Sequence, residues 1–306
     1  QIDSPDAPAL DDLCQQLTEL ADETDRKGAW PAEQLRLCGE YGVFRWFMPA
    51  AWGGFDWDDH DVTRGYLRLA AASLTTTFII TQRTGACRRI LTADHNRPLQ
   101  DSLLPELVSG EAFATVGISH LTTSRRHLAK PVLAARETEG GFVLDGFSPW
   151  VTGGIHAQTV VIGATLDDGR QILVALPTDL PGVTADEPAQ LVGVGSSHTG
   201  AVRCREVFVA NDLLIAGPVH DVMKQGAGAG TGGLQTSTLA VGLATAAIEF
   251  LEREAGRRDD LKPAATHLRV EQQQMEQDLL ALAQGEMVCT LEDFRAQMAQ
   301  IAKPGL

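Results

Sequence analysis

The chain has 306 residues, a formal net charge of -15, 44% apolar residues and 21% charged residues. That length accommodates two or three domains of roughly 100–150 residues each, and the composition is ordinary for a soluble globular protein. So acidic a surface excludes nucleic acid or an anionic membrane as the main partner, although a local Arg cluster can still hold a phosphate.

The N-terminal QIDSPDAPAL is acidic and polar, unlike a secretory signal. No apolar run approaches the roughly 20 residues of a membrane span. Cys14, Cys38, Cys87, Cys204 and Cys289 are odd in number and widely spaced. With no CxxC or Cys/His cluster to suggest a metal site, they read as reduced thiols of a cytoplasmic protein.

Residues 10–112 read as helical. Leu10, Leu13, Leu17 and Leu20 form a stripe at helical spacing. WPAEQLRLCGEYG places Pro31 at a helix start and Gly42 near its end. DDHDVTRGYLRLAAASL and TTTFIITQRTGACRRIL continue the pattern, the second with a Thr-rich start of low helix propensity. RPLQDSLLPELVSGE is expected to be short and broken at Pro105, and MPAAWGGFDWDD reads as a Pro/Gly loop.

The texture changes near Phe113. Glu139-Gly140-Gly141 and Asp167-Asp168-Gly169 each join two apolar runs, a hairpin signal. TGAVRCREVFVA adds another alternating run. Strands at this spacing without intervening helices predict an antiparallel sandwich or barrel. Beyond PVHDVMKQGAGAGTGG, residues 234–256 and 264–284 read as helices, and 288–302 as a last amphipathic segment. The domains expected are 1–112 (helical), 113–222 (β) and 223–306 (helical). Gly228, Gly230 and Gly233 form a nominal G-x-G-x-x-G that follows no predicted strand, so they read as a linker.

This order carries a family resemblance. WGGFDW after a proline, LPELVSGEAFATVGIS, GGFVLDGFSPWVTGGIHAQTVVIGA, LPGVTADEPAQLVGVGSSHTGAVRCREVFVANDLLIAGP and TLAVGLATAAIEFLEREAGRRDDL resemble, in sequence, five motifs of the acyl-CoA dehydrogenase family. The resemblance runs from about residue 10 to about 284. It implies that family's α+β fold: an N-terminal helical domain, a central antiparallel β-domain facing a flavin, and an incomplete C-terminal helical bundle. It implies FAD as cofactor, an acyl-CoA-type substrate, an electron-transfer acceptor and a homo- or hetero-oligomer, dimer or tetramer.

By the same resemblance, Trp150 packs by the flavin ring and Thr152 bonds its N5 edge. Ile118 and Ser119 touch the pyrimidine side, and Ser124 falls near the pyrophosphate. Arg258 reaches the FAD phosphates of a neighbouring subunit, and Leu261 stands where an aromatic residue usually lies beside the adenine. Taken alone, each has a plainer reading: Trp150 as core, Thr152 as strand filler, Arg257-Arg258 as a solvated helix end.

The chain also departs from the pattern. The family's α-proton base is a Glu from one of two places. At the first, this chain has Gly232, followed by Gly233; the second lies past Leu306. Glu249, Glu252 and Glu254 are several turns too far along. No catalytic residue is therefore assigned. The phosphate turn, Ser119 to Ser124, lacks glycine and is one residue shorter, with Arg125 and Arg126 following. Lys262 and Arg269 replace a Gly and a Gln. The reading that results is α,β-dehydrogenation of an acyl thioester. Its alternatives are a flavin-dependent monooxygenase of the same fold and a non-catalytic subunit that completes a partner's site.

Overall fold

The computed structural model describes residues 1–122, 131–224 and 234–286. Five helices come first: α1 (Pro8–Lys27), α2 (Ala32–Tyr41), α3 (Asp59–Ala72), α4 (Leu74–Leu91) and α5 (Arg97–Ser109). Leu10, Leu13 and Leu17 are buried on α1 as their spacing requires. Gly42, at φ 89°, ends α2 in the left-handed region, where an L side chain would be strained. Before α1, Ile2 is fully buried, and its backbone N–H donates to the Tyr41 carbonyl at 2.7 Å.

The Thr-rich start of α4 is helical because its hydroxyls have partners. Thr77 donates to the Ser73 carbonyl at 2.8 Å and Thr75 to Asp25 Oδ1 at 3.1 Å. The expected break at Pro105 is not there: α5 runs through it. A proline removes one backbone bond from a helix. Here the buried face of Leu99, Leu104, Leu107 and Val108 holds the helix together across that gap.

The sheet follows: β1 (Ala114–Gly117), the one-turn α6 (Ser119–Thr122), β2 (Leu133–Thr138), β3 (Gly141–Val151), β4 (Thr159–Leu166), β5 (Gln171–Pro177), β6 (Val183–Ala185), β7 (Gly200–Ala210) and β8 (Leu214–Val219). Its order is β6-β7-β3-β2-β4-β5-β8, with β1 also on β4. Both predicted hairpins form, with Gly140 and Gly169 at positive φ. The pairing is antiparallel except at β4. That strand runs parallel to β1 along Thr159–Ile162 and parallel to β2 at Thr165–Leu166. β1 and β2 thus lie one after the other along one edge of β4 and run the same way.

Side-chain alternation gives the sheet two apolar faces. Val161, Leu173 and Ala175 join the core of the helical domain, whereas Val160, Ile162, Ile172 and Val174 join a second core within the sheet. Cys38, Cys87 and Cys204 are free and buried, Cys14 is free and half-buried, and Cys289 lies outside the described residues. Burial pushes the Cys14 thiol up to about 11 and that of Cys204 to about 12, so neither is a thiolate at neutral pH.

The chain then adds α7 (Leu234–Ala255) and α8 (Lys262–Gln284). By length and composition α7 is apolar enough to cross a membrane. In this fold it is a bundle helix, with Val241 and Gly242 buried. A Cβ on Gly242 would lie 2.5 Å from Ala70 Cβ and 2.8 Å from the Leu67 carbonyl oxygen, so α7 touches the backbone of α3. Arg269 is a structural pin: its Nε and Nη2 donate to Glu252 at 2.9 and 2.6 Å, tying α8 to α7.

Candidate functional site

β1 and β3 lie side by side at the junction between the sheet and the helical domain. A Cβ on Gly117 would sit 3.1 Å from Ser148 Oγ, and one on Gly153 would sit 2.9 Å from the Phe113 ring. Phe113 thus stands level with Gly153 and Gly117 with Ser148, so β1 runs beside the end of β3 that leads into Trp150 and Thr152, and Ile118 and Ser119 follow just beyond its Ser148 end. Ile118 is buried. Ser119 Oγ is sealed from solvent and has no hydrogen-bond partner; the same holds for Ser148 Oγ and Thr115 Oγ1. Buried hydroxyls are normally bonded. Thr115 on β1, Ser148 on β3 and Ser119 at the start of α6 are three such orphans, and they mark a place able to meet an outside polar group.

Trp150 is 48% exposed, so it is not the core tryptophan its sequence context alone suggests. A large flat ring left half in solvent is an available wall for a flat ligand.

Thr152 is buried, with its hydroxyl 3.0 Å from Thr199 Oγ1, which lies 2.8 Å from Ser197 Oγ. Three hydroxyls share two hydrogen bonds, so one proton is left to donate outside the hydroxyl chain. The sequence reading missed Ser197 and Thr199. The signal for them was SSHT in the turn before β7, which had no visible link to Thr152 until the fold joined them.

The same turn carries a second feature. His198 Nε2 lies 3.0 Å from the Gly28 carbonyl oxygen and therefore donates to it. In the neutral ring its Nδ1 must then accept, and it lies 2.8 Å from His156 Nε2. Trp30 stacks on His156 with ring centroids 4.1 Å apart. The pair thus latches the end of α1 to the loops beside Thr152.

Burial holds His156 below the usual imidazole range, with a further contribution from His198, and burial does the same to His120, whose Nε2 lies 2.7 Å from the Gly163 carbonyl oxygen. The folded state therefore resists protons that the unfolded chain accepts at about pH 6.5. Stability is full above that pH and falls as the pH drops below it. The thermal midpoint is expected to decline between pH 7 and pH 5.5, and His120→Asn to flatten the decline; a midpoint independent of pH across this interval would refute the reading.

Arg258 and Leu261 lie elsewhere, on the corner between α7 and α8. Arg258 is exposed and donates through Nη2 to Asp260 at 2.9 Å, as its plainer reading as a solvated helix end expects. Within one chain the fold does not bring either residue to Trp150. Ser124, Arg125, Arg126, Gly232 and Gly233 fall outside the described residues. Glu252, held below the usual carboxylate range by its bond to Arg269, is committed to that pair. Asp58, His60 and Asp61 are close enough to share a cation, but Asp58 caps α3 and Asp61 lies 3.7 Å from Arg64.

Comparison with known proteins follows the same division. Residues 10–111 match the family described as "Acyl-CoA dehydrogenase, N-terminal domain". The chain is similar to a probable acyl-CoA dehydrogenase, YngJ, of Bacillus subtilis, 24% identical over 234 residues, covering 75% of this chain and 61% of that protein. It is also similar to the oxygenase subunit HsaA of a flavin-dependent monooxygenase from Rhodococcus jostii, 25% identical over 216 residues, covering 70% of this chain and 50% of that one. It thus spans between about half and three fifths of the length of these relatives.

Among solved structures, butyryl-CoA dehydrogenase from Megasphaera elsdenii superposes with a TM-score of 0.77 at 14% identity, covering 92% of this chain and 81% of that one. A glutaryl-coenzyme A dehydrogenase in its glutaryl-CoA complex gives 0.77 at 18% identity, covering 90% and 76%. These likenesses establish the fold. The matched helical domain, residues 10–111, and the curated relatives point the same way, to the acyl-CoA dehydrogenase family.

Proposed function

We propose that this chain is the FAD-binding part of an oxidoreductase that removes two hydrogens from an acyl-CoA or similar acyl thioester. The observation that carries the reading is the half-exposed Trp150 standing beside orphaned buried hydroxyls and the Thr152–Thr199–Ser197 chain. A flavin presents a flat apolar body and a polar edge, and this wall offers the matching pair of surfaces.

When bound, FAD would supply the acceptor for the hydride. The protein's part is to hold it. Trp150 packs along the ring, and Ser119 and Ile118 meet its pyrimidine side. A hydroxyl chain running from Ser197 through Thr199 leaves the free proton on Thr152, which then donates to the ring edge. Arg258 serves the phosphates of a second subunit's cofactor, after its bond to Asp260 opens. Among the described residues no carboxylate stands free at this wall to take the α-proton, so that group would come from outside them. An electron-transfer acceptor reoxidises the cofactor.

The relative HsaA favours a second reading, a monooxygenase, which needs no such base. One experiment separates the two. The purified full-length protein is reconstituted with FAD and its visible spectrum followed under anaerobic addition of saturated acyl-CoAs. Bleaching by one of them is the expected result. No bleaching, with oxygen uptake once reduced flavin is supplied, would establish the oxygenase. A protein that takes up no FAD would overturn both.

A further inference from the structure

Arg83, in the middle of α4, is 1% exposed. Its guanidinium carbon lies 3.9 Å from the centroid of the Phe44 ring. Among the described residues it makes no hydrogen bond and no ion pair, and Nη2 is sealed from solvent without a partner. Its ionisable neighbours are Cys87, one turn on, and Tyr66, whose hydroxyl is bonded to Thr84. Burial pushes Cys87 up and Tyr66 up to about 12, so neither offers an anion. An arginine stays protonated in a protein. A buried cation with no bonded partner calls for an anion, and the described residues supply none.

A groove of about 410 Å³ opens between α2 and the end of α5; Phe44 lines it and Arg83 does not. Trp30 and Phe113 line it, and it reaches His156. Phe44 is its inner wall. The ring edge abuts two glycines of the groove: a Cβ on Gly39 or Gly110 would lie 3.2 or 3.1 Å from a ring carbon. No side chain at these two positions props the ring. The rim cation, Arg36, is already taken up by Glu33, at 2.6 Å, and by Glu40. One aromatic ring thus separates an aromatic groove of ligand size from an uncompensated buried cation.

We propose that this groove binds a small organic carboxylate, its flat apolar body against the wall that Trp30 and Phe113 form together and its carboxylate on Arg83 once the Phe44 ring turns aside. Guanidinium and carboxylate match as a two-bonded pair, which strengthens in a water-poor site. The groove borders the flavin wall through Phe113 and His156, but the carboxylate site rests on Arg83 and stands whether or not the chain binds FAD.

The test uses the whole protein with benzoate as the probe and benzamide as its neutral twin, followed by equilibrium dialysis. Benzoate is expected to saturate one site, with benzamide bound at least about tenfold more weakly. Arg83→Met is expected to lose the benzoate preference without lowering the thermal midpoint, and Phe44→Leu, which shortens the wall, to tighten benzoate binding. Equal binding of the two probes, no saturation with benzoate, or an Arg83→Met protein that still prefers benzoate would each overturn the proposal. Should that variant not fold, the comparison of the two probes on the unaltered protein decides the matter alone.

Discussion

Trp150→Ala is expected to weaken FAD binding roughly thirtyfold or more while leaving the fold intact. The ring is 48% exposed, so its truncation removes little packing from the folded chain. Surface substitutions of that kind change stability by about 0.5 kcal/mol or less. Against a flavin the same ring would be a central aromatic contact, of the sort whose loss costs about 2 kcal/mol or more, roughly a thirtyfold weakening. Thr152→Val should behave in the opposite way. It removes a buried hydroxyl from the chain with Thr199 and Ser197, leaving those groups short of a partner at a cost of about 1–3 kcal/mol. Its cofactor affinity should fall less than that of the Trp150 variant. Thermal melts beside FAD titrations of both proteins check the pair. A Trp150→Ala protein that holds FAD like the parent would move the cofactor to another wall.

The second large effect concerns how the C-terminal helices are held. Gly242→Val is expected to destabilise the protein by about 1–3 kcal/mol, the usual cost of overpacking a tight interface. The new side chain has no room: Ala70 Cβ and the Leu67 carbonyl already stand where its Cβ would go. The helices must part, which exposes Val241 and Leu279 together with Leu67 of α3, the three fully buried members of that small core. Gly256→Ala, at a more open site beyond the end of α7, is the control and should cost much less. Differential scanning calorimetry measures both. If the two variants melted together, the close contact between α3 and α7 would not be what fixes these helices.

Much of this architecture was legible in the residues. Leucines at helical spacing on α1, a proline and a glycine bracketing α2, and two glycine hairpins in the sheet are local signals, and each formed as its chemistry dictates. Pro105 misled because a proline's local penalty is fixed whereas the tertiary packing of α5 is not visible in its own sequence. The parallel edge of β4 was also hidden, since strand direction depends on where a connection returns.

At the site, Trp150 and Thr152 could be singled out from an ordered set of motifs. That Trp150 faces solvent, that Thr152 belongs to a hydroxyl chain, and that Arg83 is buried without an anion are facts about neighbours. Arg83 lies 39 positions from Phe44 in the numbering and carries no motif, so nothing in one dimension flags it.

One feature of the sheet bears on how such a chain can change over generations. β1 and β2 are each registered on β4 independently, one along Thr159–Ile162 and the other at Thr165–Leu166. The stretch between them is therefore anchored at both ends by the same strand. Residues can be lost or exchanged there without sliding either strand, because a one-residue slip would have to break pairing that the connection does not control. This is the stretch whose SHLTTS the family resemblance sets against a longer, glycine-bearing turn. The sheet acts as a fixed frame on which a ligand loop can be rewritten, so that new chemistry at this edge can be sampled without remaking the fold.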